Sequence, residues 1–221
     1  MSSLSAGDRV SRFRLLLAST SPRRKELLSL LGIPFEVIDP SYLEHATAEK
    51  PVVQALHHAD GKAAAVSTRH PDMLVLASDT LIELDGVGLG KPGSIKEARA
   101  MLQRLRGRDH VVHTAVALRR AYDGLSQNGI ESVRVRMRFV GDADLEQYLR
   151  SGEWIDKAAG YAIQGSGSAL IASIEGDYTA VVGLPLRLVA KLLMPHVTLP
   201  VDPEGLYRDR PYGNWSYYSC S

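Results

Sequence analysis

The apolar run Leu15 to Ala18, followed almost at once by Ser19-Thr20-Ser21-Pro22-Arg23-Arg24-Lys25, limits the possible folds more than any other stretch of the chain. So short an apolar run suits a strand buried on both faces. Ser21 fits a helix N-cap and Pro22 the first helical position, and the helix runs to about Gly32, whose missing Cβ suits a stop. A strand, a tight turn and a helix in direct succession belong to an α/β protein. They also gather hydroxyls, free backbone N–H groups and three cations at the carboxyl end of a strand. A phosphate would bind well there, through the helix dipole, the hydroxyls of Ser19 and Ser21 and a bidentate arginine. The same residues also read as a capped surface helix with solvated cations, and their spacing leaves both readings open.

Further along, Phe35–Ile38 reads as a second strand, and a polar stretch from Asp39 to Pro51 leads into an alanine-rich helix ending near His70 and Pro71. Met73 to Ala77 is a third buried strand ending in Ser78-Asp79-Thr80. Leu81 to Leu84 and the turn Asp85-Gly86 predict a hairpin that leads to Gly90-Lys91-Pro92. A capped helix is expected from Ser94 to Leu105, then strands at His110–Leu118 and Ser132–Phe139, joined by a polar loop, Tyr122–Gly129. A helix follows from Gly141 to about Ser151. Asp156 to Gly165 is too rich in glycine and polar groups for a core helix and reads as a site loop. Ala169–Ile174 is a strand, Glu175 to Asp177 a turn, Leu184–Met194 a closing helix, and the residues past Pro195 an extended tail. Strands and helices mix in both orders, which favours a mixed α/β sheet over a doubly wound one.

Composition narrows the function. With 221 residues and 45% hydrophobic content, the chain suits one large domain or two compact lobes. Lys and Arg total 26 against 25 Asp and Glu, so bulk attraction to nucleic acid or a membrane surface is not expected and any anion site is local. The single cysteine, Cys220, has no internal disulfide partner, and no run of about 18 apolar residues occurs. The reading is a soluble, cytoplasmic protein.

Asp79 lies at the mouth of a buried strand, where a carboxylate can hold Mg²⁺ or take a proton from water; a turn-capping aspartate is the plainer alternative. Lys62 and Lys91 are ordinary when taken singly and candidates for triphosphate oxygens when taken together. Asp156 and Lys157, taken by themselves, read as a surface ion pair of little energetic consequence. Gln164 carries an amide able to donate to and accept from a base edge. Glu44 is either a loop charge or a metal ligand. His57, His58, His110 and His113 lack metal-motif flanks and read as helix-surface or strand residues, and Gly86 to Lys91 does not make a Walker loop.

Ala18 to Leu28, Ala77-Ser78-Asp79-Thr80, Gly90-Lys91-Pro92, Asp156 to Gly165 and Val181-Val182-Gly183-Leu184-Pro185 stand in the order found in the Maf family of nucleotide pyrophosphatases, which the sequence resembles from about Arg14 to Met194. The resemblance implies a strongly bent mixed sheet flanked by helices, in two lobes with a central cleft, similar to inosine-triphosphate pyrophosphatases. It divides the chain into an extension (1–12), the Maf-like domain (13–195) and a tail (196–221). By position it implies Ser19, Arg23 and Arg24 on phosphate, Asp79 as proton acceptor, and Lys62 and Lys91 as the two lysines. Gln164 falls on the base-reading position and Glu44 on an acidic metal-site position. Lys157, beside Asp156 in the same motif, is counted with the substrate-binding residues. Arg23, Thr80 and Gln164 resemble the dTTP and UTP branch, whereas the branch acting on 7-methyl-GTP differs there. Ser78 departs from a common alanine, and Gly61 from a bulkier polar residue.

The expected activity is hydrolysis of a nucleoside triphosphate to monophosphate and pyrophosphate with Mg²⁺ or Mn²⁺, in a possible homodimer, removing modified or surplus nucleotides. The rivals are a non-catalytic nucleotide-binding regulator of cell division and the same reaction on 7-methyl-GTP.

Overall fold

The computed structural model describes residues 14–45 and 49–209, with side chains to 206. The extension 1–12 and Cys220 lie outside the described residues. Leu15–Ala18 forms β1 and Pro22–Ser29 forms α1, with Gly32 at φ 68° turning the chain out of it. Phe35–Ile38 is β2, Pro51–Arg69 is α2 and Leu74–Leu84 is β3. Val87–Leu89 (β4) completes the hairpin at Asp85-Gly86. Ile95–Leu105 is α3, capped as expected by Ser94, whose Oγ accepts from the Glu97 N–H. Asp109–Arg120 (β5) and Leu125–Met137 (β6) form a long hairpin. Asp142–Arg150 (α4), Ile171–Glu175 (β7), Tyr178–Val182 (α5), Leu186–Leu193 (α6) and Pro203–Asp209 (α7) follow.

The seven strands make one mixed sheet in the order β2-β1-β3-β5-β6-β7, with β4 paired to β3. β2, β1 and β3 are parallel, and the remaining pairs are antiparallel. One face carries the larger core, including Leu17, Leu76, Leu102 and Val116. The other is covered by α2, whose Ala55, Ala59, Ala63 and Val66 pack on Leu16, Val75, Ala77 and Ala115. Small residues on that helix stripe let α2 lie close to the sheet.

Three expectations need correction. The third strand does not end in Ser78-Asp79-Thr80 but continues through that triplet to Leu84, because β5 pairs with it from Val75 to Glu83. Residues 126–129 lie in β6 rather than in a loop; their polarity fits a strand whose 126–128 side chains face solvent. The segment after Pro195 is not simply extended. It contains α7, whose Glu204 carboxylate accepts from the Arg187 guanidinium of α6 at 3.0 Å, and Pro200 packs at Gly32. Among the described residues, no helix is long and apolar enough to cross a membrane.

Candidate active site

The site arises where the sheet changes partners. β1 pairs with β3 only as far as Leu76, and β4 joins β3 at Ile82. Between these points β3 has a ladder partner on its β5 side alone, which opens a gap at the carboxyl end of the parallel strands, where α/β sheets bind ligands. Alternation along β3 puts Asp79 on the same face as Val75 and Ala77, toward α2, and puts Ser78 and Thr80 on the opposite face.

Asp79 therefore meets α2. Lys62 Nζ donates to Asp79 Oδ1 at 2.5 Å and to Glu44 Oε1 at 2.5 Å. Both Lys62 and Asp79 are buried, while the Glu44 side chain keeps 34% of its exposure. One helical turn before Lys62, His58 brings Nδ1 to 3.4 Å from Asp79 Oδ2. Burial by itself would raise the Asp79 carboxyl, but His58, Lys62 and Arg24 outweigh it and hold it at about 2. The carboxylate beside it in turn raises the His58 imidazole above its ordinary value. The expectation that His58 is a plain helix-surface residue is therefore corrected. The missed signal was helical spacing: positions 55, 58, 59, 62, 63 and 66 share one stripe of α2, so a residue four before Lys62 faces the same way.

On the opposite face of β3 the arginine is built in. Arg24 Nε donates to the Gly183 carbonyl at 3.0 Å, Nη2 lies 3.4 Å from Thr80 Oγ1 and Nη1 lies 3.5 Å from Ser19 Oγ. Ser78 Oγ donates to the same Gly183 carbonyl at 2.9 Å, a bond alanine could not make. Thr114 Oγ1 donates to the Ala180 carbonyl, so its 3.0 Å contact with Thr80 uses the Thr80 proton. Thr80 thus accepts from Arg24 and donates to Thr114, orienting the guanidinium with no proton left for a phosphate.

The start of α1 is open. Ser21 occupies the N-cap position but makes no side-chain cap bond, contrary to its expected capping role, and the first turn has no acidic residue. Ser19 Oγ accepts from the Ser21 N–H at 3.2 Å. On the far wall, the Ala159 N–H donates to the Gly90 carbonyl at 2.8 Å, and Asp156 and Ala159 hold positive φ angles of 58° and 53°. A Cβ on Gly160 would meet Pro92 and Ala98 at 3.4 Å, so this glycine lets the loop settle on the segment bearing Lys91. Lys91 Nζ stands 3.8 Å from Glu44 Oε2. Lys157 donates to the Ile155 carbonyl at 3.1 Å, and burial lowers its ammonium's value.

Two adjoining pockets share Arg23, Arg24, Glu44, Lys62, Lys91 and Lys157, and the inner one also exposes Asp79, Thr80 and Gln164. Ser19 lines the outer pocket. Every residue singled out from the sequence for substrate or metal thus reaches one hollow. Donor atoms of Glu44, His58 and Asp79 lie within 4.8 Å of one another. Two carboxylates and an imidazole are donors suited to a divalent cation, for which the Lys62 ammonium now bonded to both carboxylates would have to give way.

A buried carboxylate beside Lys62 and Arg24, next to an open helix start in a mixed α/β chain, is an arrangement able to bind an anion and to take up a proton. The chain belongs to the Maf-like protein family, which it matches over residues 14–196. It is 44% identical over 180 residues to the dTTP/UTP pyrophosphatase of Deinococcus radiodurans, with 81% of this chain and 91% of the relative covered. Identity to the dTTP/UTP pyrophosphatase of Symbiobacterium thermophilum is 47% over 181 residues, covering 81% and 92%. Among solved structures, the nucleoside-triphosphatase (dITP/XTP pyrophosphatase) of Mycobacterium abscessus aligns at 14% identity and a TM-score of 0.44, covering 90% of this chain and 100% of that one.

Proposed function

We propose that this protein is a nucleoside triphosphate pyrophosphatase that converts dTTP, UTP and related nucleotides to the monophosphate and pyrophosphate in the cleft around Asp79. The observation that carries the reading is a buried, fully ionised Asp79 facing Lys62, with Arg24 and Lys91 lining the same hollow. Similarity to relatives named dTTP/UTP pyrophosphatase supports the substrate class.

The triphosphate lies between the start of α1, with Ser19, Arg23 and Arg24, and the far wall with Lys91 and Lys157. Backbone N–H groups and arginines grip oxygens there. Gln164 reads the base edge. Glu44 and Asp79 would hold Mg²⁺ or Mn²⁺, which when bound neutralises phosphate charge. Water attacks the α-phosphorus, its proton passes to Asp79, and the bond from the α-phosphorus to the bridging oxygen breaks. Pyrophosphate leaves with that electron pair. The cations act most strongly at this stage because charge moves onto the leaving group. A carboxylate held at about 2 is a weak base. When the triphosphate attracts Lys62, Asp79 loses a counter-charge and regains basicity, which ties proton acceptance to substrate arrival.

The test is a panel of dTTP, UTP and 7-methyl-GTP with Mg²⁺ or Mn²⁺, with products resolved by chromatography. Pyrophosphate and monophosphate should form from dTTP and UTP and vanish with EDTA. Faster turnover of 7-methyl-GTP would overturn the pyrimidine assignment, and nucleotide binding without turnover would overturn the enzyme.

A further inference from the structure

The turn that follows Gln164 is held from outside by one carboxylate. Gly165–Leu170 winds as a 3₁₀ helix with Gln164 at its cap position. The opening N–H groups of a helix need acceptors beyond it, and Glu153 supplies them. Its Oε1 accepts from the Ser166 N–H at 3.2 Å and its Oε2 from the Gly167 N–H at 3.3 Å. Gly165 makes this approach possible: it holds φ at 68°, and a Cβ there would stand 2.8 Å from Glu153 Oε2. Burial alone would raise the Glu153 carboxyl, but its bonds to Ser166 and Gly167 bring it below its ordinary value.

Glu153 is itself anchored. Its N–H donates to Ser151 Oγ at 3.2 Å, and that hydroxyl donates to the Tyr148 carbonyl at 2.7 Å. Trp154 Nε1 donates to the Leu149 carbonyl at 3.0 Å, so the turn carrying Glu153 is tied to the end of α4. On its other side Gln164 follows Ile163, which is buried in the core. The Gln164 amide thus stands between a buried side chain and a turn capped by Glu153. Gln164 lines the inner pocket, and Glu153 lies outside that lining.

We propose that Glu153 is a positioning residue for base recognition: by capping the turn at residues 166 and 167 it fixes the backbone from which Gln164 reaches the base. This rests on the assignment of Gln164 to the base edge given above.

The test compares dTTP with 2-deoxyribose 5-triphosphate, which carries the same sugar and phosphates but no base. Glu153→Ala should cut the kcat/KM advantage of dTTP about 3- to 10-fold, with kcat/KM for the abasic triphosphate within about twofold of wild type. A turn that served stability alone would lower both substrates together. Gly165→Ala, which pushes the carboxylate off the turn and keeps its charge, should act likewise. Glu153→Gln, which retains one acceptor oxygen, should lose less. In a Gln164→Ala background, Glu153→Ala should reduce the advantage no further.

An unchanged dTTP advantage in Glu153→Ala, equal losses on both substrates, or a full additional loss in the Gln164→Ala background would overturn the proposal. Gln164→Ala alone separates the two levels. If it keeps the wild-type advantage, the base assignment fails and the proposal with it. If it loses the advantage while Glu153→Ala keeps it, only the positioning role fails.

Discussion

Replacing Lys62 by methionine keeps the buried apolar stem that projects from α2 and deletes the ammonium that donates at 2.5 Å to both Glu44 and Asp79. The two halves of this pair differ in consequence. Glu44 is 34% exposed and can recover water, so its loss counts for little; Asp79 is 6% exposed and cannot. Removing one partner of a buried pair costs about 3–5 kcal/mol. Arg24 and His58 still face Asp79, which places the cost near the lower end, about 3 kcal/mol. For a chain of this size that is a fall in Tm of about 6–12 °C. The pH dependence follows from the carboxylate. Held at about 2, Asp79 contributes stability that is fully present above its ordinary 3.8 and is lost as pH falls toward 2. The variant has less counter-charge and a higher Asp79 value, so it has less of this stability to lose. The gap between the two proteins should be wide at pH 7 and narrow below pH 4, as measured by urea denaturation. A variant within about 1 °C of wild type at pH 7 would show that the Lys62 ammonium does not stabilise the buried Asp79 carboxylate.

Two other perturbations probe separate parts of the molecule. Arg24→Lys keeps the charge but loses the fork that reaches Gly183, Thr80 and Ser19, so kcat/KM in steady-state assays should fall roughly 10- to 100-fold. Burial pushes His110 down from 6.5 to about 4, with Nε2 set 2.6 Å from the Tyr161 hydroxyl. The unfolded chain takes up this proton below 6.5 and the native one only near 4, so stability falls as pH drops through that window, by on the order of 3 kcal/mol. His110→Gln should flatten this acid branch in denaturation curves.

Local signals carried the start of the fold. The Leu15–Ala18 run, Pro22 at the first helical turn and the Ser94 cap are decided by residues adjacent in sequence, and they appear where expected. The continuation of β3 through Ser78-Asp79-Thr80 was less visible, since a polar triplet ends an apolar run in sequence, and only pairing with β5 keeps it extended. The polar residues of β6 concealed a strand for the same reason, and the composition after Pro195 concealed α7. At the site, residue types were legible but their partners were not. Lys62 and Asp79 meet because α2 docks on one face of the sheet, while Ser78 and Thr80 point to the other and serve Arg24. His58 was legible in principle from its place four residues before Lys62, and a pairwise reading of the α2 stripe would have found it.

The most direct test of the central claim, that Asp79 accepts the proton of the attacking water amid converging cations, is single-turnover hydrolysis of dTTP by Asp79→Asn with nucleotide binding measured in parallel. The rate should fall by about 100-fold or more with binding retained. Hydrolysis near the wild-type rate would contradict it.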